Sequence, residues 1–178
     1  MLIGFVGKKG SGKDTMALFL ESKKRFIKYA FAEPLKKACK ELFLLNESQL
    51  YDPNEKETED PYWNITPRVM LQMIGTDFIR KQFDANFWIK HFVFWFQKNK
   101  EKNIVVTDCR FQNEIDIIKE LGGIVIKIER KTSKFDNHIS EAGIDNLTNI
   151  DFTIQNNSTK DECYNELINS LNSSTIFA

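Results

Sequence analysis

Five short runs of mainly apolar residues divide the chain, at positions 2–6, 26–31, 103–108, 124–129 and 151–155. Their length and composition are typical of β-strands. Segments with helical character lie between and after them, at 16–20, 33–43, 66–80, 85–98, 111–121 and 159–171. Because strands alternate with helices over most of the chain, the pattern predicts a parallel sheet with crossover helices.

The segment between the first strand and its helix has the spacing of a phosphate-binding loop. Gly7 is followed, after four residues, by Gly12 and Lys13. Glycines let the backbone bend around an anion, so that N–H groups and the start of the next helix point at phosphate oxygens. We expect Lys13 to reach the β- and γ-phosphates of a nucleotide. Asp14 stands where such loops usually carry a Ser or Thr for magnesium, and Thr15 follows, so the metal contact is left open between Asp14 and a bridging water.

A polar stripe marks the helix that Thr66 and Pro67 predict, as its cap and its first residue. The stripe has a four-residue spacing and consists of Arg68, Gln72, Thr76 and Arg80. Arginines at both ends suit an anionic ligand with a polar ring. A solvated helix face explains the same spacing, and the periodicity alone favours that second interpretation.

Two other segments in this part of the chain have distinct patterns. Residues 52–61 are polar and acidic, which predicts an exposed loop, and whether the loop also acts as a mobile flap is left open. The run 92–96 is apolar on nearly all sides of its helix, for which Asp84 is the expected cap. We therefore expect both sides of that helix to be buried, within the monomer rather than against a second subunit.

Charged residues follow the third and fourth strands. Asp108 ends the third strand, and ligands of open α/β sheets bind outside the carboxyl ends of strands, so we expect Asp108 to face the bound phosphates. Arg110 lies two residues later. Arg130 begins a basic segment that we expect to close over the phosphates as a lid, and we interpret His138 within it as a surface residue.

Composition narrows the classes of function and compartment. Lys and Arg together number 25, as do Asp and Glu, so no net field directs the chain to nucleic acid or to anionic membranes. Cys39, Cys109 and Cys163 match no zinc spacing and indicate reduced thiols. The N-terminal apolar run is too short for a signal peptide, and no apolar run is long enough to span a bilayer, so we expect a cytoplasmic protein.

The motifs together make the chain resemble the viral and phage deoxynucleoside monophosphate kinases, a branch of the P-loop nucleoside monophosphate kinases. The matching motifs are GKKGSGKDT at 7–15, FAEPLK at 31–36, TPR at 66–68 with LQ at 71–72, GTD at 75–77, Arg80 before Phe87 and Trp88, DCRFQNE at 108–114, the glycines at 122–123, Arg130, and HISE at 138–141. Each motif alone is weak, but their order along nearly the whole chain is specific. The KDT ending is itself typical of this branch.

The resemblance implies a three-layer α/β fold with a five-stranded parallel sheet of order 2-3-1-4-5. It implies one domain over 1–178, with a core (1–43, 102–130 and 150–172), an acceptor-nucleotide region (44–100) and a lid (131–149). The implied reaction transfers the γ-phosphoryl group of ATP, with Mg²⁺, to a deoxynucleoside monophosphate for DNA precursor synthesis. A homodimer is also an expectation from the resemblance, whereas nucleic-acid and membrane partners are not expected.

The resemblance also implies roles for individual residues, which fall into four groups. The catalytic group is Lys13, Asp108, Arg110 and Arg130. The ATP-binding group is Gly7, Lys9, Gly10, Ser11, Gly12, Lys13, Asp14, Thr15, Arg130, Lys134 and Asn156, with Asn156 and Asn157 beside adenine. The acceptor-binding group is Leu35, Lys36, Arg68, Gln72, Arg80, Trp88, Asp108, Arg110, Phe111 and Glu114. Asp14 and Asp108 hold magnesium, partly through water, and the stripe of Arg68, Gln72, Thr76 and Arg80 is thereby reassigned from a solvated face to a phosphate site.

Two other functions share part of these features. A P-loop kinase of another phosphorylated acceptor, such as phosphomevalonate or dephospho-coenzyme A, needs the loop and the Asp108–Arg110 turn but no base-stacking Trp88 or Phe111. A nucleotide-binding switch would bind nucleotide without acceptor-stimulated turnover, and the arginines beyond the loop count against it.

Overall fold

One parallel sheet organises the chain, of which the computed structural model describes residues 1–131 and 143–174. Its strands are β1 (Leu2–Val6), β2 (Phe26–Tyr29), β3 (Asn103–Cys109), β4 (Ile124–Glu129) and β5 (Phe152–Gln155), in the order β2-β3-β1-β4-β5. Every neighbouring pair is parallel. The predicted strand number, direction and order are confirmed.

Seven α-helices lie among the described residues. They are α1 (Lys13–Lys24), α2 (Ala32–Phe43), α3 (Glu47–Tyr51), α4 (Pro67–Gln72), α5 (Phe87–Gln97), α6 (Gln112–Glu120) and α7 (Lys160–Ser173). A π-helix over Met73–Phe83 continues α4, and short 3-10 helices cover Glu55–Glu57 and Ile144–Asn146. None of these described helices is both long and apolar enough to cross a membrane.

The chain divides into two compact units. The first unit comprises Met1–Ala30 and Phe94–Ala178, and it holds the whole sheet. Its inner strands are buried on both faces, as expected for a parallel sheet between helices. One face packs on α1 and α7 through a cluster that includes Phe5, Leu20 and Leu167, so the helix that follows β1 is held firmly against the sheet.

The second unit, Phe31–Val93, is helical and more ordered than the sequence pattern suggests. The segment predicted as an exposed loop, residues 52–61, contains the 3-10 helix Glu55–Glu57 and ends in an antiparallel bridge between Asp60 and Ile65, and α3 precedes it. The signal for α3 is a capping box, in which Asn46 and Gln49 each accept a hydrogen bond from the backbone N–H of the other.

Helix α5 corrects one expectation. Trp88, Ile89 and Phe92 are buried, but Phe94 is 62% exposed, so the prediction that both sides are buried is wrong. The Lys98 ammonium lies 4.1 Å from the centre of the Phe94 ring and covers one face of it. Asp84 accepts a hydrogen bond from the N–H of Asn86, and the helix begins at Phe87, two residues later than predicted.

Candidate active site

Three glycines with positive φ shape the loop after β1. The φ angles are 153° at Gly7, 80° at Gly10 and 105° at Gly12. A Cβ at Gly7 would collide with the carbonyl oxygen of Ile128 on β4, and a Cβ at Gly12 with the side-chain amide of Asn156. Both positions therefore require glycine for its backbone freedom and its lack of a side chain. The loop runs directly into α1, whose first N–H groups receive no side-chain cap and are oriented for an anion.

Two polar side chains lie buried in this loop. The Lys13 ammonium donates to the carbonyl oxygens of Gly7, at 2.6 Å, and Lys8, at 2.9 Å. The Ser11 hydroxyl is fully buried and has no hydrogen-bond partner within the described residues. An unpaired buried hydroxyl costs about 1–3 kcal/mol, which a hydrogen-bonding ligand in the loop would offset. The loop thus fits a polyphosphate.

Asn156 fastens the loop to the far edge of the sheet. Its side-chain N–H donates to the Ser11 carbonyl oxygen at 2.7 Å, and its side-chain oxygen accepts from the Cys163 thiol at 3.3 Å. Its backbone N–H donates to the Glu129 carbonyl oxygen at 2.7 Å. Asn156 is therefore a support of the phosphate loop, and the predicted adenine contact remains a prediction.

The carboxyl end of β3 lies beside the start of the loop, because Cys109 pairs in register with Val6 of β1. Asp108 is half-buried at this end, and Arg110 and Phe111 follow it. The Glu114 carboxylate is buried and accepts from the backbone N–H groups of Arg110, at 2.7 Å, and Phe111, at 3.2 Å. Glu114 thereby fixes the turn that carries Arg110.

Charges concentrate around this turn. Burial raises the pKa of the Cys109 thiol well above its usual value, the charges of Glu114 and Asp108 raise it further, and Lys13 acts in the opposite direction. Burial, then Asp108 and Glu114, also raise the pKa of Tyr29 on β2. Tyr29 was missed by the sequence reasoning, although its position at the carboxyl end of a strand beside β3 was a usable signal.

A cavity of about 200 Å³ lies at the ends of β4 and β5. Its described lining includes Gly7 and Lys8 of the loop, together with Lys127, Arg130 and Asp145. The Lys8 ammonium and the Asp145 carboxylate form an ion pair of 2.5 Å across it. Arg130 is exposed at this cavity, as a donor-side cation would need to be. Lys134, His138 and most of the predicted lid lie outside the described residues.

The polar stripe of the second unit runs along α4 and the π-helix. Thr66 accepts a hydrogen bond from the Val69 N–H at 3.3 Å, which confirms the predicted cap. Thr76 is buried, and Arg68, Gln72 and Arg80 are half-buried, whereas Val69, Met73 and Phe78 are exposed. The stripe is therefore more buried than the side of the helix that carries Val69, Met73 and Phe78, which argues against a solvated face.

The π-helix was not predicted, and it keeps the stripe straight. Four residues exceed one turn of an α-helix, which has 3.6 residues, so a four-residue stripe drifts around an α-helix. A π-helix closes its hydrogen bonds between residues i and i+5 and holds more residues in a turn. The drift from Arg68 to Gln72 on α4 is therefore offset between Gln72 and Arg80.

The other predicted acceptor residues of the second unit have defined surroundings. The Lys36 ammonium lies 4.3 Å from the centre of the Tyr51 ring, and the Tyr51 hydroxyl donates to Glu33 at 2.8 Å. Leu35 is buried on the same helix. The Trp88 indole N–H donates to the Gly75 carbonyl oxygen at 3.1 Å, and Trp88 is only 4% exposed, so packing is its visible role. Its contact with a base remains a prediction.

Comparison with known proteins gives one consistent family. Residues 1–59 and 46–167 match the family model described as deoxynucleotide monophosphate kinase. The chain is 45% identical over 182 residues to a protein of Acanthamoeba polyphaga mimivirus that is named as a candidate deoxynucleotide monophosphate kinase, with 94% of each chain covered. It is 30% identical over 113 residues to the deoxynucleotide monophosphate kinase of Enterobacteria phage T4, across 61% of this chain and 46% of the phage protein.

Solved structures agree with the fold. Dephospho-CoA kinase from Campylobacter jejuni superposes with a TM-score of 0.56 at 14% identity, over 96% of this chain and 95% of that one. Shikimate kinase from Aquifex aeolicus superposes with a TM-score of 0.56 at 15% identity, over 100% of both chains. At these identities the likeness is one of fold alone, and it identifies a P-loop kinase fold.

Proposed function

The chain belongs to the deoxynucleotide monophosphate kinase family, and from this premise we propose that it transfers the γ-phosphoryl group of ATP to a deoxynucleoside 5′-monophosphate. The products are a deoxynucleoside diphosphate and ADP. The observation that carries the proposal is the match to this family along 94% of the chain, together with a phosphate loop of fitting geometry at its N-terminus.

The donor side is assigned to the loop and its neighbours in the first unit. Backbone N–H groups between Gly7 and Thr15 hold the triphosphate, and Lys13 exchanges its two carbonyl partners for oxygens of the β- and γ-phosphates. Arg130, at the cavity beside the loop, adds charge on the donor side. These groups neutralise the charge that spreads over the transferring phosphoryl group.

For the acceptor, each unit is assigned its own residues. In the second unit, Arg68 and Arg80 of the stripe, with Lys36, are assigned to the acceptor phosphate, and Gln72 is assigned to the base. In the first unit, Arg110 on the turn after β3 is assigned to the transferring group. An oxygen of the acceptor phosphate forms the new P–O bond as the bond to ADP breaks. No general base is needed, because a phosphate monoester is largely ionised near neutral pH.

Magnesium fits this site as an ion held mainly by the substrates. No group of three or more His, Cys, Asp or Glu side chains in the described part of the chain is placed to hold a metal. Mg²⁺ at kinase sites commonly uses one or two carboxylates, phosphate oxygens and water. Asp108 is half-buried beside the loop and Asp14 is exposed on the first turn of α1, and these two carboxylates are the ones that we assign to that role. The ion would supply charge neutralisation between the phosphates.

The experiment measures ADP release from ATP and Mg²⁺ with each deoxy- and ribonucleoside monophosphate. We expect acceptor-stimulated turnover with one or more deoxynucleotides and less with the ribonucleotides. Dephospho-coenzyme A and phosphomevalonate serve as comparison acceptors, since the fold is shared with kinases of other small molecules. Binding of ATP without stimulation by any deoxynucleotide would refute the proposal.

A further inference from the structure

Arg68 is held by a single side chain. Its Nε lies 2.5 Å from a carboxylate oxygen of Glu57, which belongs to the 3-10 helix eleven residues earlier. The Arg68 side chain is 19% exposed and that of Glu57 is 45% exposed. Within residues 1–131 and 143–174, the Arg68 side chain has no other hydrogen bond or ion pair.

The choice of Nε has a chemical consequence. A guanidinium carries five N–H donors in a rigid plane, one on Nε and four on the terminal nitrogens. The Glu57 contact occupies the Nε edge and leaves the fork of the two terminal nitrogens without a partner among the described residues. That fork is the group that binds a phosphate through two parallel hydrogen bonds.

The 3-10 helix that carries Glu57 is fixed at its N-terminal end by hydrogen bonds to a neighbouring carboxylate. The Asp52 carboxylate accepts from the N–H groups of Asn54, at 2.8 Å, and Glu55, at 3.1 Å. These hydrogen bonds hold the pKa of Asp52 below its ordinary value, so the cap remains charged at neutral pH. The Glu57 N–H then donates to the Asn54 carbonyl oxygen at 2.9 Å.

The C-terminal side of the same segment is fixed by a second aspartate. The Asp60 carboxylate accepts from the N–H groups of Tyr62, at 2.9 Å, and Trp63, at 3.1 Å, and from the side chain of Gln49 at 2.7 Å. Glu57 is thus carried between two capped turns. A carboxylate held in this way fixes the long Arg68 side chain in one direction, which lowers the entropy that binding must otherwise remove.

We propose that Glu57 is a positioning residue for the acceptor: it holds the Arg68 guanidinium by Nε so that the terminal fork meets the phosphate of the monophosphate substrate. This inference rests on the proposed function. The negative charge of Glu57 opposes an incoming phosphate, but its solvent exposure screens that repulsion, whereas the hydrogen bond to Nε acts directly on the orientation of Arg68.

The test compares acceptor KM, ATP KM and kcat for three single variants. Glu57→Ala removes the hydrogen bond, and we expect its acceptor KM to rise about tenfold with ATP KM unchanged. Glu57→Gln keeps an oxygen for Nε while removing the charge, so its acceptor KM should stay within about twofold of the wild type. Glu55→Ala, an exposed glutamate of the same 3-10 helix, is the matched control and should change neither KM.

A double variant separates positioning from a general effect on the fold. In an Arg68→Ala background, Glu57→Ala should change the acceptor KM by less than about twofold, because a residue that acts through Arg68 has nothing left to orient. An unchanged or lower acceptor KM in Glu57→Ala would overturn the inference, as would equal rises in the Ala and Gln variants. Absence of acceptor-stimulated turnover in the wild type would instead overturn the proposed function.

Discussion

Lys13 in the first unit and Arg68 in the second are held by different parts of the protein. Lys13 is held by main-chain carbonyl oxygens of its own loop, within six residues of itself. Arg68 is held by a side chain eleven residues away, on a 3-10 helix whose start is fixed by hydrogen bonds to Asp52. The donor loop therefore depends on backbone geometry, and the acceptor arginine depends on a pair of side chains.

This difference bears on how each region tolerates change. A backbone cradle requires glycine at a few positions and accepts many side chains elsewhere, because its donors are N–H groups that every residue except proline supplies. A side-chain pair can be exchanged or re-aimed by two substitutions. We therefore expect the donor region to have the same geometry in related kinases. Differences in substrate preference should arise from substitutions in the acceptor region.

The largest effect should come from replacing Lys13, the cation of the phosphate-binding loop. Lys13→Ala should lower kcat by about 10²–10³-fold, since one preorganised charge at the transferring group is lost. Steady-state kinetics with a saturating acceptor measures it. Lys24→Ala, exposed at the other end of α1, should retain wild-type kcat. Retention of more than half of kcat in Lys13→Ala would place the donor elsewhere.

The next effect concerns the side-chain pair. Arg68→Ala should raise acceptor KM by about tenfold or more while ATP affinity stays nearly constant, because a charge-assisted phosphate contact is removed on one side only. Titration of ATP followed by kinetics in acceptor gives both quantities. Lys81→Ala, which removes an exposed cation paired with Asp77 at 2.7 Å, is the control. Equal losses for both nucleotides would contradict the division between regions.

A smaller effect on ATP binding tests whether the phosphate-binding loop depends on its hydrogen bond to Asn156. Asn156→Ala should raise the KM for ATP and the inhibition constant of inorganic tripolyphosphate by the same factor, about tenfold at most, because the hydrogen bond to the Ser11 carbonyl is lost. Thr153→Ala, exposed on β5, is the control. A change for ATP alone would mean that Asn156 acts on adenine and not on the loop.

The smallest expected effect is a pH dependence of the free energy of unfolding, caused by a buried thiol in the second unit. Burial raises the pKa of the Cys39 thiol on α2 from its ordinary 9.0 to about 11. The thiol loses its proton at a lower pH in the unfolded chain than in the folded protein. The stability that the protonated, buried thiol contributes is therefore complete below pH 9 and is lost as pH rises from 9 toward 11. Urea unfolding should show the wild type losing about 1 kcal/mol more than Cys39→Ala between pH 9 and 10. Parallel losses would refute this assignment.

The sheet and the phosphate loop could be predicted because their signals are local and strong. Buried parallel strands appear as apolar runs, and the glycine spacing follows from the dihedral angles that Gly7 and Gly12 adopt. The ordered motifs then indicated the family, which supplied the strand order. Each of these inferences needs only neighbouring residues or the order of motifs along the chain.

The side-chain partners could not be predicted from the same signals. The arginines of the stripe were identified, but Glu57 lay in a segment interpreted as a solvated acidic loop, and nothing in its local pattern distinguishes it from Glu55. Tyr29, near Asp108 and Glu114, lies on another strand and is 79 residues from Asp108 in sequence, so only the folded sheet brings them together. Tertiary pairing, rather than propensity, decides such contacts.

The π-helix over Met73–Phe83 makes the alignment of Arg68 with Arg80 depend on the length of the segment between them. Each residue advances an α-helix by about 100°, so an α-helix of the present length would place Arg80 about 120° around the axis from Arg68. With one residue deleted, the advance would be about 1100°, which is within about 20° of three full turns. A single-residue deletion that restored α geometry would therefore keep both arginines on one side, whereas loss of the π-helix at the present length would separate them.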